Sequence, residues 1–238
     1  MIYISYGVPK SASTFAYVVT KTILDAAGYN TVSLSVRAKG GRSRLNYIDP
    51  ISWTAIERVR SEIGERSAVI KTHGAPDKQL ESAIERGEIL ASAIVRDPRD
   101  IALSLVDHGE RSRRAGVSDF ANIYSAIDAV DLLDEQMRRL AKWTAGVKVL
   151  LLAYDQLCFD TETAVRRIID HAGLSLTPAT IVPALPNKEE VLQFNKGARN
   201  RYEAEMPSAI QEVFLRRYAD FYRCFFDQQS PRCDSVDK

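Results

Sequence analysis

Short apolar runs alternate with longer amphipathic stretches along the whole chain. Residues 2–6 form a β-branched and aromatic run that ends at Gly7, which predicts a buried strand. From Thr14 onward the apolar residues recur at helical spacing, and Gly28 is a natural end for that helix. Further strands are predicted in TVSLSV (31–36), SAVIKTHGAP (67–76), ILASAIVRDP (89–98) and VKVLLLAY (147–154).

The amphipathic stretches between these strands predict helices. Asp97 is suited to cap a helix that begins at Pro98, since carboxylates and proline are favoured at helix starts. The strand–helix alternation predicts an α/β fold, with one domain over residues 1–238 and a three-layer parallel β-sheet flanked by helices. The tail after Phe226 is expected to be frayed. Other helices are predicted over residues 56–63, about 120–143 and 161–172, and from Pro207 with Ile210, Val213, Phe214, Tyr218 and Phe221 inward.

Composition and charge narrow the classes of function. The 238 residues are 45% hydrophobic and 26% charged, which fits a globular domain with a sizeable core. A formal net charge of +1 gives no general attraction to nucleic acid or to membranes. No apolar run reaches the roughly 18–20 residues of a membrane span, and the N-terminus lacks a signal-peptide pattern. Three cysteines without metal-ligand spacing fit reduced thiols, so we expect a cytoplasmic protein.

The turn after the first strand has the features of an anion site. A helix that starts near Ser13 exposes backbone N–H groups and a positive dipole end, and Lys10, Ser11 and Thr14 add donors. Gly7 is only three residues before Lys10, and Pro9 stands where a Walker A loop has its second glycine. The loop is therefore too short for a triphosphate but fits one terminal phosphate. An ordinary helix N-cap is the alternative.

Two further polar clusters follow strand ends, where ligands of parallel sheets bind. Lys71 and His73 lie where the third predicted strand gives way to a loop, and a histidine there is suited to take a proton from a hydroxyl. A snorkelling lysine and a surface histidine are the alternative. Arg96 and Ser104 are suited to bind a second phosphate. A salt bridge at the helix start is the alternative, and we prefer it for Arg99.

These motifs, in this order, resemble the cytosolic-type sulfotransferases that use 3′-phosphoadenosine-5′-phosphosulfate (PAPS). VPKSASTF (8–15) is similar to the family's 5′-phosphosulfate loop, and KTHGAP (71–76) to its Lys-Thr-His segment. VRDPRDIALSL (95–105) resembles its 3′-phosphate motif, with arginine and serine eight positions apart. LLLAYDQL (150–157) and FNKGARNRY (194–202) resemble its late strand and late loop. The resemblance implies a P-loop NTPase-like sulfotransferase fold.

The resemblance also implies a role for each matching residue. His73 is the general base, Lys71 neutralises the transferring group, and Lys10 faces the charge that grows on the leaving phosphate. Arg96 and Ser104 bind the 3′-phosphate, over which Lys196 and Gly197 close. Phe15 stacks near the adenine, which Tyr154 approaches. No metal is expected beside PAPS. The residues that cradle the 5′-phosphosulfate are Lys10, Ser11, Ala12, Ser13 and Thr14.

Three departures from the family pattern stand out. Ala12 replaces a glycine, which is a small change if its φ is negative. Asn195 stands where the family has an arginine, and Arg199 or Arg201 is a candidate to compensate. Asn200, Arg201 and Tyr202 replace Gly-Asp-Trp at the end of that loop.

The acceptor is expected to be the hydroxyl of a small molecule or a glycan. The basic loops RAKGGRSRLNY (37–47) and HGERSRRAGV (108–117) are suited to steer an anionic acceptor, or are simply solvated. Trp53, Phe120 and Tyr124 either line an apolar pocket or belong to the core. A nucleotide-kinase-type phosphotransferase, a non-catalytic nucleotide-binding module and an anion-binding interaction protein are the alternative functions. The kinase needs a full Walker A loop, and the module does not need His73.

Overall fold

The computed structural model describes residues 1–35, 45–146, 148–187 and 196–227. The strands β1 (Ile2–Gly7), β2 (Ala68–Thr72), β3 (Leu90–Val95) and β4 (Val149–Ala153) form a sheet in the order β2-β1-β3-β4. β1 runs parallel to both β2 and β3. In this register Tyr6 pairs with Thr72 of β2 and Gly7 with Ile94 of β3, so β1 ends beside the ends of both neighbouring strands. The parallel sheet predicted from the alternation is confirmed.

Helices join and flank the strands. Five residues separate β1 from the helix α1, and two residues separate β3 from α4. The prediction that Asp97 caps α4 is confirmed, since its carboxylate accepts from the Arg99 N–H at 2.8 Å. The helices are α1 (Ser13–Ala26), α2 (Trp53–Ile63), α3 (Lys78–Glu85), α4 (Pro98–Ala115), α5 (Val130–Thr144), α6 (Tyr154–Phe159), α7 (Thr161–His171), α8 (Pro178–Ile181), α9 (Arg201–Glu205), α10 (Ser208–Arg217) and α11 (Ala219–Phe225).

The residues of β1 are buried on both faces of the sheet, as a three-layer arrangement requires. Tyr3 belongs to the apolar cluster of α1 and α7, and its ring meets His171 edge-on with the centroids 5.9 Å apart. Tyr6 points the other way and stacks on Trp143 of α5, at 5.2 Å between centroids and 20° between ring planes. Both tyrosines are fully buried. Because successive strand residues face opposite sides, this pair places helices on both faces.

The chain divides into two compact units. The first unit comprises the described parts of residues 1–94 and 138–194, and includes β1, β2, β4 and α1. The second unit comprises the described parts of 95–137 and 195–238, in which α4 packs against α9 and α10. One domain over the whole chain stays a prediction.

The prediction of a strand in TVSLSV is wrong for its described residues, 31–35. Thr31 makes one bridge to Ser67, and no strand follows. The side chain of Asn46 occupies the hydrogen-bonding positions instead, since its amide accepts from the Leu34 N–H at 2.8 Å and donates to the Val32 carbonyl at 2.8 Å. A side-chain amide that satisfies the backbone in this way removes the need for a ladder.

The long helix predicted from about Phe120 begins only at Val130, after a 3-10 turn over Ile127–Ala129. Phe120 has a φ of 57°, in the left-handed region that interrupts a helix. The Asp128 carboxylate accepts from the N–H groups of Tyr124 and Ser125 at 3.0 and 2.8 Å. Apolar residues at helical spacing therefore extend through a segment that local hydrogen bonds hold in a turn, and this pattern led to the prediction of a longer helix.

The C-terminal segment departs from the single helix predicted from Pro207. The helices α10 and α11 are separated at Tyr218. Phe214 and Tyr218 are buried as predicted, but Val213 is 38% exposed.

In the late loop, Arg201 and Tyr202 begin the short helix α9. Cys158 and Cys224 are free thiols. Phe194, Asn195 and Cys233, the frayed tail expected beyond Asp227, and most of the first basic loop lie outside the described residues.

Candidate active site

The turn between β1 and α1 contains two residues in the left-handed region. Lys10 has a φ of 71° and Ala12 a φ of 64°. The turn is closed by Ser11, whose hydroxyl and N–H both donate to the Val8 carbonyl, at 2.7 and 3.1 Å. Ala12 is the N-cap of α1 and offers no side-chain capping bond. An ordinary side-chain-capped helix start is therefore not what the turn forms, and its N–H groups remain suited to an anion.

Ala12 corrects one expectation from the sequence. Its replacement of glycine was expected to be harmless at negative φ, but the φ is positive. A left-handed residue with a Cβ costs about 1–2 kcal/mol. Gly7 is needed for a different reason, because a Cβ there would lie 2.8 Å from the Cβ of Ser13. The turn thus combines one strained alanine with one glycine that close packing requires.

Four other residues were predicted to surround the donor, and the structure gives the environment of each. Ser13 and Thr14 are buried in the first turn of α1. Phe15 is also buried and belongs to the apolar cluster of the first unit. Tyr154 opens α6 directly after β4 and meets Phe159 edge-on, with centroids 6.1 Å apart. Stacking of Phe15 near an adenine stays a prediction, as does the approach of Tyr154.

His73 lies just beyond the end of β2, and two neighbours fix its orientation. Its Nδ1 contacts the carbonyl oxygen of Gly7, so Nδ1 carries the proton. Its Nε2 lies 3.3 Å from the Nζ of Lys71. Burial of the imidazole, together with the positive charges of Lys71, Arg139 and Lys10, lowers the pKa of His73 to about 3, and the contact with Gly7 opposes that shift. At neutral pH, His73 therefore holds an unprotonated Nε2.

Lys71 is 6% exposed at the end of β2. Burial lowers its pKa to about 8, and the negative charge of Asp49 opposes that shift. The Lys71 Nζ lies 5.2 Å from the centre of the Tyr47 ring. The surface-residue alternative for Lys71 and His73 is wrong, because Lys71 is buried and His73 is held by the backbone of β1.

Sequence reasoning missed four residues that surround His73. Tyr47 and His73 have ring centroids 5.4 Å apart, and the Tyr47 hydroxyl donates to Asp49 at 2.8 Å. Arg139 donates to the His73 carbonyl at 3.2 Å, and Trp143 to the Gly74 carbonyl at 2.9 Å. None of these belongs to a motif, and they approach from segments that are distant in sequence.

In the second unit, the start of α4 concentrates buried charge. Arg96, Asp97, Arg99 and Asp100 are all at most 9% exposed, and Ser104 is 3% exposed. Arg99 binds Asp97 with 2.6 Å between Nη2 and Oδ2, which confirms the preferred salt bridge. Arg96 lies 3.5 Å from Asp100 and 3.4 Å from the Ala198 carbonyl. A phosphate bound to Arg96 would compete with these oxygen contacts.

The late loop is tied to α4 through Asp100 and Asp107. Asp100 accepts from the Tyr202 N–H at 3.2 Å, at the start of α9. Arg201 is buried and lies 2.8 Å from Asp107 and 2.7 Å from Glu205. Lys196 is exposed and lies 2.8 Å from Glu205, and Gly197 has a φ of 59°. Arg201 thus binds two carboxylates, Arg199 is exposed, and compensation for Asn195 by either arginine stays a prediction.

The three aromatic residues suggested for an acceptor pocket differ in exposure and in the residues that they contact. Tyr124 is 67% exposed, and the guanidinium of Arg113 lies 4.1 Å from its ring centre. Arg113 also donates to the Ala121 and Ile123 carbonyls, so this basic residue has a structural role. Phe120 is half-buried against His108. Trp53 is half-buried beneath the guanidinium of Arg60, which lies 4.9 Å from its ring centre.

The described residues offer neither a metal cluster nor a membrane-spanning helix. They contain no group of three or more His, Cys, Asp or Glu side chains placed to hold a metal ion. None of their helices has both the length and the apolar character that crossing a membrane requires.

A family model described as the sulfotransferase domain matches residues 3–217. The chain belongs to the sulfotransferase family. The family predicted from the order of the motifs is thus confirmed. A search of curated proteins found no match.

Solved structures similar to this sulfotransferase share its fold at low identity. Retinol dehydratase in complex with androsterone and the inactive cofactor PAP is 14% identical, with a TM-score of 0.55, over 98% of this chain and 83% of that one. Mouse sulfotransferase SULT7A1 with PAP is 16% identical, with a TM-score of 0.55, over 95% and 88%. Retinol dehydratase with retinol and PAP is 15% identical, with a TM-score of 0.56, over 97% and 83%. The predicted α/β fold with helices flanking a parallel sheet is confirmed.

Proposed function

We propose that this sulfotransferase moves a sulfuryl group from PAPS to an acceptor hydroxyl, with His73 as the general base. Membership of the family supports the sulfuryl transfer itself. The similar structures that contain PAP support PAPS as the donor, since PAP is adenosine 3′,5′-bisphosphate, which PAPS becomes once the sulfuryl group leaves. Metal is not part of the proposal, because cationic side chains and N–H donors suffice for a group that carries less charge than a phosphoryl group.

The contact between His73 and Gly7 carries the proposal. Gly7 is the last residue of β1, and the turn with Lys10 follows it directly. The backbone that starts the anion-binding turn therefore also orients the base. Since Nδ1 is the protonated nitrogen, Nε2 is the atom left to accept a proton.

The reaction assigns each of these groups a step. The acceptor oxygen attacks sulfur and gives its proton to the His73 Nε2. The bond between sulfur and the bridging oxygen breaks, and its electron pair stays on the 5′-phosphate. Lys10 and the N–H groups that begin α1 stabilise the charge that grows there. Lys71 neutralises the negative charge on the sulfuryl oxygens while the group moves from the bridging oxygen of the donor to the acceptor oxygen.

The pKa of His73 fits this role once the donor is bound. In the protein alone, a pKa of about 3 makes the imidazole a weak base. Three nearby cations contribute to that low value, and PAPS would offset them with its negative charge. Opposite charge within a few ångströms favours the protonated imidazole, so donor binding raises the pKa of His73 toward the working pH. The base is thereby strengthened when the donor is in place.

Binding of the 3′-phosphate is proposed for the second unit. Arg96 offers a guanidinium and Ser104 a hydroxyl, both buried near the start of α4. Lys196 and Gly197 are proposed to close over the same phosphate. The contact between Arg96 and the Ala198 carbonyl supports this, because it already links the arginine to the late loop.

The acceptor is proposed to be the hydroxyl of a small molecule. The similar retinol dehydratase structures hold androsterone or retinol, both of which are small hydroxyl compounds. The proposal also includes the hydroxyl of a glycan as acceptor. Location in the cytoplasm is also proposed and rests on the resemblance to the cytosolic-type members.

A transfer screen tests the proposal. The protein is incubated with radiolabelled PAPS and panels of phenols, alcohols, lipids and glycans, and labelled products are separated. We expect label on at least one panel, and at least about a hundredfold less label with His73→Ala. ATP with Mg²⁺ is offered in parallel, together with a thermal shift against PAP. Stabilisation by ATP–Mg²⁺ but not by PAP would favour the phosphotransferase alternative and contradict the proposal.

A further inference from the structure

A segment with no motif lies against the strand that carries Lys71. The backbone of Lys71 donates to the Asn46 carbonyl at 2.8 Å, and its carbonyl accepts from the Ile48 N–H at 3.0 Å. Tyr47 therefore sits beside Lys71 as an isolated parallel bridge. This places the Tyr47 ring next to both Lys71 and His73, at 5.2 Å from the Nζ and 5.4 Å between ring centroids.

Asp49 is held close to the same two residues. Its Oδ2 accepts from the Tyr47 hydroxyl at 2.8 Å. Its Oδ1 packs against Gly74, the residue that follows His73, so closely that a Cβ at Gly74 would lie 2.7 Å from it. The carboxylate is thus fixed between a hydroxyl and the backbone beside the proposed base.

Positive charge outweighs negative charge among the described groups around Lys71 and His73. His73 faces Lys71 as a neutral group, Tyr47 faces it with its ring, and Lys10 and Arg139 add positive charge near His73. Asp49 is the carboxylate that counters the effect of burial on Lys71. A buried lysine without a counter-charge releases its proton more easily, and would then no longer neutralise the transferring group.

We propose that Tyr47 and Asp49 are a positioning pair that keeps the Lys71 ammonium charged and in place beside His73. The Tyr47 ring supports the ammonium by a cation–π contact and holds the carboxylate through its hydroxyl. The role of the pair in catalysis rests on the proposed function, whereas its effect on the charge of Lys71 does not.

The titration of Lys71 tests the pair without any assay of activity. Protein labelled with ¹³C at the lysine Cε is titrated by NMR, and Lys71→Arg identifies the signal. We expect Asp49→Asn to lower the pKa of Lys71 by about one unit. Tyr47→Phe keeps the ring but loses the hydrogen bond, so we expect a smaller shift in the same direction. Asp170→Asn, an exposed change on α7, is the matched control and should leave the signal unmoved. An unchanged midpoint in Asp49→Asn would overturn the proposal.

Kinetics then separate this inference from the proposed function. We expect Asp49→Asn to lower kcat about fivefold at pH 8 and much less at pH 6.5, with KM for PAPS little changed, because a one-unit shift from a pKa of about 8 reduces the charged fraction of Lys71 mainly at the higher pH. An equal loss at both pH values would indicate a merely structural role and contradict the pair. A shifted Lys71 titration in a protein that transfers no sulfuryl group would contradict the proposed function and leave the pairing supported.

Discussion

The Nδ1 of His73 contacts the carbonyl oxygen of Gly7, which joins the end of β2 to the end of β1. The two strands are parallel and in register up to this point, with Tyr6 opposite Thr72. The geometry of the sheet therefore brings the candidate base next to the anion-binding turn. A change in either strand end should affect both the donor turn and the base.

Replacement of His73 by alanine should lower turnover much more than donor binding. We expect kcat to fall by about 10²–10⁴, because proton removal from the acceptor loses its base. Calorimetric binding of PAP should change little. His108→Ala is the matched control and should keep the rate within about twofold of the wild type. Wild-type turnover in His73→Ala would remove His73 from the role of base.

Replacement of Arg96 by alanine should weaken PAP binding. We expect a loss of about 1.5–3 kcal/mol, as for a hydrogen bond to a charged group. Isothermal calorimetry with PAP measures the effect. Arg114→Ala removes an exposed arginine that pairs with Glu110, and it should leave the affinity unchanged. Equal affinity in Arg96→Ala and the wild type would refute the placement of the 3′-phosphate.

Replacement of Ala12 by glycine should stabilise the protein. The left-handed φ of 64° strains alanine but not glycine, so we expect a rise of up to about 1 kcal/mol in the free energy of unfolding. Urea denaturation measures it. Ala26→Gly, at the end of α1, is the control and should not stabilise the protein, because Ala26 is not among the residues of positive φ. A loss of stability in Ala12→Gly would show that the turn does not strain this residue.

The pKa of Lys71 predicts the alkaline limb of the pH profile. Because that pKa is lowered to about 8, the ammonium is present below pH 8 and is lost as the pH rises through it. We therefore expect kcat/KM to fall above about pH 8. Lys71→Arg keeps its charge throughout the range, so any activity it retains should show no such fall. An alkaline limb at the same pH in both proteins would assign it to another group.

The sequence predicted the parts of the site that are formed by residues close to one another along the chain. A strand, a turn with Lys10 and a helix start are neighbours along the chain, and parallel pairing then places Lys71 and His73 beside them. Tyr47, Arg139 and Trp143 could not be found in this way, because their contacts depend on how distant segments pack. The φ of Ala12 was missed for a related reason, since the turn type is set by Ser11 binding back to Val8.

The errors in the fold also have local physical causes. The predicted strand after Thr31 fails because the Asn46 side chain takes the backbone hydrogen bonds. The helix predicted from Phe120 begins late because Asp128 binds the N–H groups of the preceding turn. In both cases the hydrophobic pattern was compatible with the predicted element, and one polar side chain decided against it.

A crystal structure of the protein with PAP tests the central claim most directly. We expect the 5′-phosphate within about 3 Å of the Lys10 Nζ and of N–H groups in residues 11–14, and the 3′-phosphate on the Arg96 guanidinium. The His73 Nε2 should face the open side of the 5′-phosphate. Nucleotide bound away from the turn after β1, or absent at saturating concentration, would contradict the account.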